Sequence, residues 1–387
     1  MSSDESSTPL CPYFGKCGGC SSQHISYEQQ LDNKRKQLAS CIGADIINDP
    51  DSIKIFSAEP YHYRNRMDFI FHNSGIGLRE KGNWKSVVDI EQCPISNDKL
   101  NKLIKELREH FCLGSGIHDL DSFDVRKNTG TFRYAVIRTP TDNSSISFVL
   151  NEDSSKTGDA IDRIKHYAES STADNIIITY VPKHTDSSIS EEFFAVKGTD
   201  MLSEDYLDKT FYYSVQGFFQ NNTTMAEKMH EYVRSLINSS SSDVSDHSLL
   251  DLYAGVGTFG INNSSFFKKV FIVESDKHCI EAARLNIEKN DIKNAEIIEL
   301  DAMQLKKIEL SEKLFVITDP PRSGMHPKTI EQLRRLKPKT IIYISCNIVQ
   351  LGKDLEKFKE YHIKNSAMFD LFPQTPHVEA IVLLERR

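Results

Sequence analysis

From residue 248 onward, short apolar runs alternate with helix-forming stretches. The runs fall at 248–252, 270–274, 295–300, 314–318 and 340–345, and the stretches near 277–289, 327–336 and 348–359. Buried parallel strands read as continuous apolar segments, and each needs a crossover long enough to return the chain to the same edge of the sheet. The pattern therefore predicts a doubly wound α/β, Rossmann-like domain. A last run, 378–384, is expected to close the sheet. In such folds chemistry collects at the carboxyl ends of the strands, where strand order reverses.

A chain of 387 residues is more than one core comfortably holds, so two domains are expected. The front half predicts an α+β domain. A helix begins at Tyr27, strands are expected at Ile53–Phe56, Met67–Phe71 and Ser86–Ile90, and a helix near 96–111. Further strands are expected at Ala135–Arg138, Ser145–Leu150 and Asn175–Tyr180. Residues 1–9 read as a disordered polar tail, 10–210 as the α+β domain and 211–387 as the Rossmann-like domain, entered by a helix at 222–237 and a Ser-rich linker at 238–242. No run of about eighteen apolar residues occurs, so no membrane span is expected, and the polar N-terminus fits a cytoplasmic protein. A net charge of −8 weighs against non-specific coating of nucleic acid. It leaves room for a local basic face: between Lys54 and Lys85 six basic residues stand against three acids, and Tyr61-His-Tyr-Arg64-Asn-Arg66 interleaves aromatics with cations.

Gly255-Val-Gly257-Thr-Phe-Gly260 follows the first apolar run, and Glu274 ends the next strand where a ribose-binding carboxylate belongs. This much serves NAD as well as S-adenosylmethionine. Two features favour the latter: Asp251 precedes the turn, where it can face a cationic amino-acid moiety, and Asp301 follows the third strand, within reach of an adenine amino group. Asp319-Pro-Pro-Arg322 closes the fourth strand, a segment that a dehydrogenase does not need.

The fifth run, Thr340–Ser345, stops at Cys346-Asn347, which places a thiol at the mouth of a buried strand. Glu379 starts the closing strand after Phe372-Pro-Gln-Thr-Pro-His377-Val. One thiol and one carboxylate facing a uracil ring suffice for methylation at C5. Addition of sulfur to C6 makes C5 nucleophilic, and a base then removes the C5 proton so that the thiol can leave. Gln220, just before the 222–237 helix, is placed to reach a cofactor or a flipped base, or to serve as a helix-start amide. At the other end, Cys11, Cys17 and Cys20 form C-x5-C-x2-C, with Cys93 in Gln-Cys-Pro94. Three clustered thiols plus one distant suit a tetrahedral zinc or a [4Fe–4S] cluster, and spacing does not separate these.

Taken jointly, Phe218-Phe-Gln220-Asn-Asn222, Asp251-Leu-Tyr-Ala-Gly-Val-Gly-Thr-Phe259, Asp319-Pro-Pro-Arg322, Ser345-Cys-Asn347 and Asp370-Leu-Phe-Pro-Gln-Thr-Pro-His-Val-Glu379 carry a resemblance over nearly the whole chain. It resembles the uracil-C5 RNA methyltransferases, in their class I, S-adenosylmethionine-dependent, iron–sulfur-containing branch. The resemblance implies Cys346 as nucleophile and Glu379 as base. It implies an S-adenosylmethionine site lined by Gln220, Tyr253, Thr258, Glu274, Asp301 and Asp319. It further implies a [4Fe–4S] cluster on Cys11, Cys17, Cys20 and Cys93, a structured RNA partner gripped partly through Arg64 and Arg66, and a monomeric enzyme. No β-barrel RNA-binding domain precedes Cys11, which makes 23S-type large-subunit rRNA the expected substrate and the tRNA T-loop the alternative. An NAD-dependent iron–sulfur oxidoreductase is the more distant rival. Ile348 stands where many relatives carry Pro, and Ala254 where they often have Cys.

Overall fold

A computed structural model describes residues 6–43, 52–73, 75–112, 120–239, 243–310 and 313–387. The first five residues of the expected tail and residues 240–242 of the Ser-rich linker lie outside the described residues. The chain divides into two compact units. The first comprises Met1–Ser26, Glu59–Ser203 and Ser214–Thr223, and the second Tyr27–Ala58, Glu204–Tyr213 and Thr224–Arg387. Residues 27–58, placed by the sequence in the front domain, thus belong to the second unit.

The second unit is built on an eight-stranded sheet. Its order is Lys54–Phe56, Tyr361–Phe369, Glu379–Arg386, Thr340–Ser345, Leu314–Thr318, Ser248–Leu252, Lys269–Glu274 and Ala295–Glu299. The five strands from Thr340–Ser345 to Ala295–Glu299 run parallel, as the apolar runs predict. Ser248–Leu252 lies between Lys269–Glu274 and Leu314–Thr318, so strand order reverses there and a crevice opens at the carboxyl ends. Glu379–Arg386 returns antiparallel between Thr340–Ser345 and Tyr361–Phe369. Leu250, Val316, Ile341, Tyr343, Met368 and Val382 are buried in one core with Leu38 and Ile42 of the helix Tyr27–Ile42. Each such aliphatic side chain contributes about 1.5–3 kcal/mol by leaving water.

The first unit holds a seven-stranded sheet ordered Asn83–Asp89, Gly75–Glu80, Arg66–His72, Phe132–Arg138, Ser145–Asn151, Asn175–Val181 and Phe193–Lys197. All neighbours are antiparallel except Ser145–Asn151 and Asn175–Val181, which are joined through the helix Thr157–Ser170. Phe71, Phe111, Phe132 and Phe148 meet in its core with ring centroids 5.3–6.1 Å apart. Among the described residues no helix is long and apolar enough to cross a membrane.

The expected strand at 53–56 forms, but as the edge of the eight-stranded sheet, parallel to Tyr361–Phe369. Sequence periodicity left several elements unread. Two of the first three residues of the strand Gly75–Glu80 are glycine, and Tyr361–Phe369 carries polar residues through its middle with a register irregularity at Ile363/Asn365.

Candidate active site

The strand-end residues read from the back half lie along one edge of the eight-stranded sheet. Tyr253, Glu274, Asp301, Asp319 and Cys346 follow or end the parallel strands. Glu379 begins the antiparallel strand beside the last of them. The register fixes the key pair. Ser345 opposes Ala380, and extending that ladder by one rung sets Cys346 opposite Glu379. A buried sheet face specifies register strongly, because a slip of one residue would turn every core side chain to the wrong face.

Cys346 is half-buried and Glu379 is 4% exposed. Burial, with the negative charges of Glu379 and Asp319, pushes the Cys346 thiol up to about 11, while Arg322 pulls the other way. Glu379 is itself held well above the usual carboxylate range by burial and by Asp319, again opposed by Arg322. Asp319 is raised to about 7 by burial. Asp251, 1% exposed, is raised to about 8 by burial and by the nearby Asp319 and Glu274, although it accepts a hydrogen bond from Gly260 N at 2.8 Å. Acids crowded this closely resist ionising together. They make a pocket that favours a cation.

The Gly-rich turn shapes that pocket. Tyr253, Gly255 and Gly257 all have positive φ, of 57°, 55° and 85°. Gly257 then starts the short helix Thr258–Asn262. A Cβ on Gly260 would stand 2.9 Å from Asp251 Oδ2, so a side chain there would break the hydrogen bond that orients this carboxylate. Glu274 is held at both oxygens: Oε2 accepts from Gly255 N at 2.9 Å, and Oε1 from Ser275 N at 2.6 Å and Asp276 N at 2.9 Å. Asp301 caps the following turn by accepting from Met303 N at 2.8 Å. Tyr253 OH lies 3.5 Å from Thr329 Oγ1.

Two sets of supports escaped the sequence. Asp354, fully buried on the helix Ile348–Leu355, accepts from Met325 N at 2.9 Å, Tyr343 OH at 2.8 Å, Gln350 Nε2 at 3.0 Å and Lys357 Nζ at 3.0 Å. It thereby ties the Asp319-Pro-Pro-Arg322 loop to the strand and helix on either side of Cys346. Asn347 adds to this by donating to Arg322 O at 2.8 Å while its Oδ1 caps Gln350 N. The second set holds the segment leading to Glu379. Lys34 Nζ reaches Asp370 Oδ1 at 2.6 Å and Phe372 O at 3.1 Å, Tyr27 OH donates to Asp370 Oδ2 at 2.9 Å, and Gln30 pairs with Gln374 at 2.9 and 3.1 Å. All three anchors come from the helix Tyr27–Ile42. The one signal in the sequence was their spacing of three and four residues, which sets them on a single helix face.

Gln220 lies in the first unit, beside Asn65, whose Nδ2 sits 3.5 Å from Gln220 O. The front-end cysteines also lie there. Cys11, Cys17, Cys20 and Cys93 line one small cavity together with Met67, Leu78, Ile90 and Ile95. Burial raises the thiols of Cys11 and Cys17, and takes Cys20 up to about 12. Among the described residues no group of three or more His, Cys, Asp or Glu side chains is disposed to hold a metal ion, so the expected cluster is not itself shown.

A profile of the tRNA (uracil-5-)-methyltransferase family matches residues 198–387. Among curated relatives, the tRNA (uracil(54)-C(5))-methyltransferase of Pyrococcus horikoshii is 34% identical over 97% of this chain and 85% of its own length. An uncharacterized RNA methyltransferase of Caldanaerobacter subterraneus is 33% identical over 97% of this chain and 84% of its own. The chain belongs to the tRNA (uracil-5-)-methyltransferase family. It is accordingly an S-adenosylmethionine-dependent RNA uracil-C5 methyltransferase, and the oxidoreductase rival falls away. Among solved structures it is similar to the Pyrococcus abyssi tRNA (uracil-54, C5)-methyltransferase in complex with S-adenosyl-L-homocysteine, with a TM-score of 0.75 and 30% identity over 95% of this chain and 85% of that one. The expectation of an rRNA substrate finds no support here, because the Pyrococcus relatives are named as tRNA enzymes.

Proposed function

We propose that this methyltransferase makes 5-methyluridine in tRNA, at the uridine for which its Pyrococcus relatives are named, with Cys346 as nucleophile and Glu379 as base. The register that sets Cys346 opposite Glu379 at the acid-lined edge of the sheet supports the chemistry. The 34% identity to the Pyrococcus horikoshii enzyme, over 97% of this chain, supports the substrate. The rRNA expectation rested on where the chain begins, and that carries no information about which RNA is bound.

S-adenosylmethionine, when bound, supplies the methyl group and a positive sulfonium. The buried acids are the complement of that charge, and Glu274 is pre-oriented by three backbone N–H groups to meet a ribose. Tyr253, Thr258, Asp301 and Asp319 complete the lining. The thiolate of Cys346 adds to C6 of the uracil, and the C5–C6 π pair moves into the C4 enolate. C5 then forms a bond to the methyl carbon as the carbon–sulfonium bond breaks. Glu379 takes the C5 proton, the C5–C6 double bond reforms, and the thiolate of Cys346 leaves. Arg322 is the charge that favours the anionic forms of both Cys346 and Glu379.

The resemblance reads Cys11, Cys17, Cys20 and Cys93 as ligands of a [4Fe–4S] cluster rather than of zinc, and all four line one small cavity. A cluster spreads four thiolates around a larger body and suits an apolar cavity. Methyl transfer needs no electron, so its part is structural. Iron and acid-labile sulfide analysis of anaerobically purified protein tests this: equal iron and sulfide supports it, and zinc alone overturns it. The enzyme acts as a monomer of 44.1 kDa, which sedimentation checks.

The substrate is tested by offering unmodified tRNA and large-subunit rRNA with methyl-labelled S-adenosylmethionine. Label recovered as 5-methyluridine in tRNA is expected, and label in rRNA alone would reverse the choice.

A further inference from the structure

The hairpin formed by Gly75–Glu80 and Asn83–Asp89 breaks its own register near the tip. Gly77↔Asp89, Leu78↔Val88 and Arg79↔Val87 pair in sequence, and the next pair is Glu80↔Asn83. Trp84, Lys85 and Ser86 are therefore left out of the ladder. Bulges of this kind re-aim side chains away from the sheet. Here the re-aimed side chain is Trp84, the single tryptophan of the chain, and it is 56% exposed.

The tip is ordered around that ring. Arg79 Nη1 donates to Trp84 O at 2.7 Å, and the Arg79 guanidinium lies 5.7 Å from the ring centroid. Lys85 Nζ lies 5.3 Å from the centroid. Both distances are within cation–π reach. Lys81 and Lys85 are exposed, and Lys81 N donates to Lys16 O at 2.7 Å, which brings a third exposed lysine alongside. Glu80 is the one acid within the tip, and it accepts a hydrogen bond from Asn83 at 3.2 Å. An exposed indole flanked by cations offers the ring face and the charges that an unpaired base with its phosphates requires.

We propose that this hairpin tip is an RNA-docking site in which the Trp84 ring stacks on an unpaired base while Lys16, Lys81 and Lys85 hold the flanking phosphates. The site rests on the reading of RNA as substrate and extends it to a surface of the first unit, whereas Cys346 and Glu379 belong to the second.

Because Trp84 is alone, its emission reports the site directly. The full-length chain is titrated with a stem–loop RNA and with a fully paired duplex of the same length. The site predicts saturable quenching by the stem–loop and little by the duplex. Trp84→Ala should weaken stem–loop binding roughly tenfold and Trp84→Phe should restore most of it. Replacing Lys81 and Lys85 together by Gln should flatten the salt dependence of log Kd by about 1.4. Unaltered emission at RNA saturation, or a Trp84→Ala affinity within about twofold of wild type, would overturn the proposal. Normal methylation with a silent Trp84 sinks the docking site alone. Quenching without methylation of any RNA sinks the enzymatic reading and leaves the site standing.

Discussion

A thiol held at about 11 is almost wholly protonated at neutral pH, and its partner Glu379 is held above the ordinary carboxylate range. The reaction needs both as anions. Activity at saturating substrates should therefore rise with pH through neutrality and on toward about 9, with no alkaline fall from these two groups in that range. A pH–rate profile that peaks on the acid side would contradict the assignment. Asp251 gives a stability test with its own sign. Its folded-state value of about 8 exceeds the unfolded 3.8, so the folded state binds the extra proton. The resulting penalty is absent below the unfolded value, grows as pH rises between the two, and is full above the folded one. Asp251→Asn should then raise the melting temperature of the cofactor-free protein by a few degrees at pH near 8 and hardly at all near pH 4. It should also weaken S-adenosylmethionine binding. Equal melting shifts at both pH values would mean that the carboxylate carries no buried charge. Cys346, Glu379 and the acids at strand ends were legible in the sequence, because an apolar run that stops at a polar residue marks its position on the sheet edge. Lys34 and Asp354 were not: a lone charged residue in an amphipathic helix names no partner until the chain has folded.

At the scale of elements, the helix Tyr27–Ile42 braces the segment that delivers Glu379. Lys34 and Asp370 are 5% and 0% exposed at their side chains, so removing one strands the other as a buried charge. Lys34→Met should cost about 3–5 kcal/mol, and Lys34→Met combined with Asp370→Asn should recover part of it. Thermal unfolding of both variants checks this. Loss of turnover beyond the loss of folded protein, with S-adenosylmethionine affinity kept, would mark the brace as a positioning device for Glu379. The same helix packs close to Ile348–Leu355: a Cβ on Gly352 would lie 2.1 Å from Cys41 O. Gly352→Ala should force the two helices apart and lower the melting temperature, despite its better helix propensity. The sequence placed the five parallel strands well, since burial on both faces writes apolar runs. It misassigned Ile53–Phe56 to the front sheet, because three residues of strand say nothing about which sheet receives them.

For the molecule as a whole, the alternation of strand and helix identified the methyltransferase unit, but not that residues 27–58 return to it. Discontinuous units follow from contacts far apart in sequence, which local periodicity does not report. The choice of RNA was illegible for a similar reason, since it depends on surfaces such as the Trp84 hairpin, where a bulge rather than a motif exposes the ring. The central claim is that Cys346 bonds to the pyrimidine and Glu379 releases it. It is tested most directly by denaturing electrophoresis and mass spectrometry after incubation with S-adenosylmethionine and tRNA. Wild-type enzyme should form a persistent adduct with 5-fluorouridine-substituted tRNA, Glu379→Gln should hold a methylated adduct with ordinary tRNA, and Cys346→Ala should give neither adduct nor product. Near-normal methylation by Cys346→Ala would contradict the account.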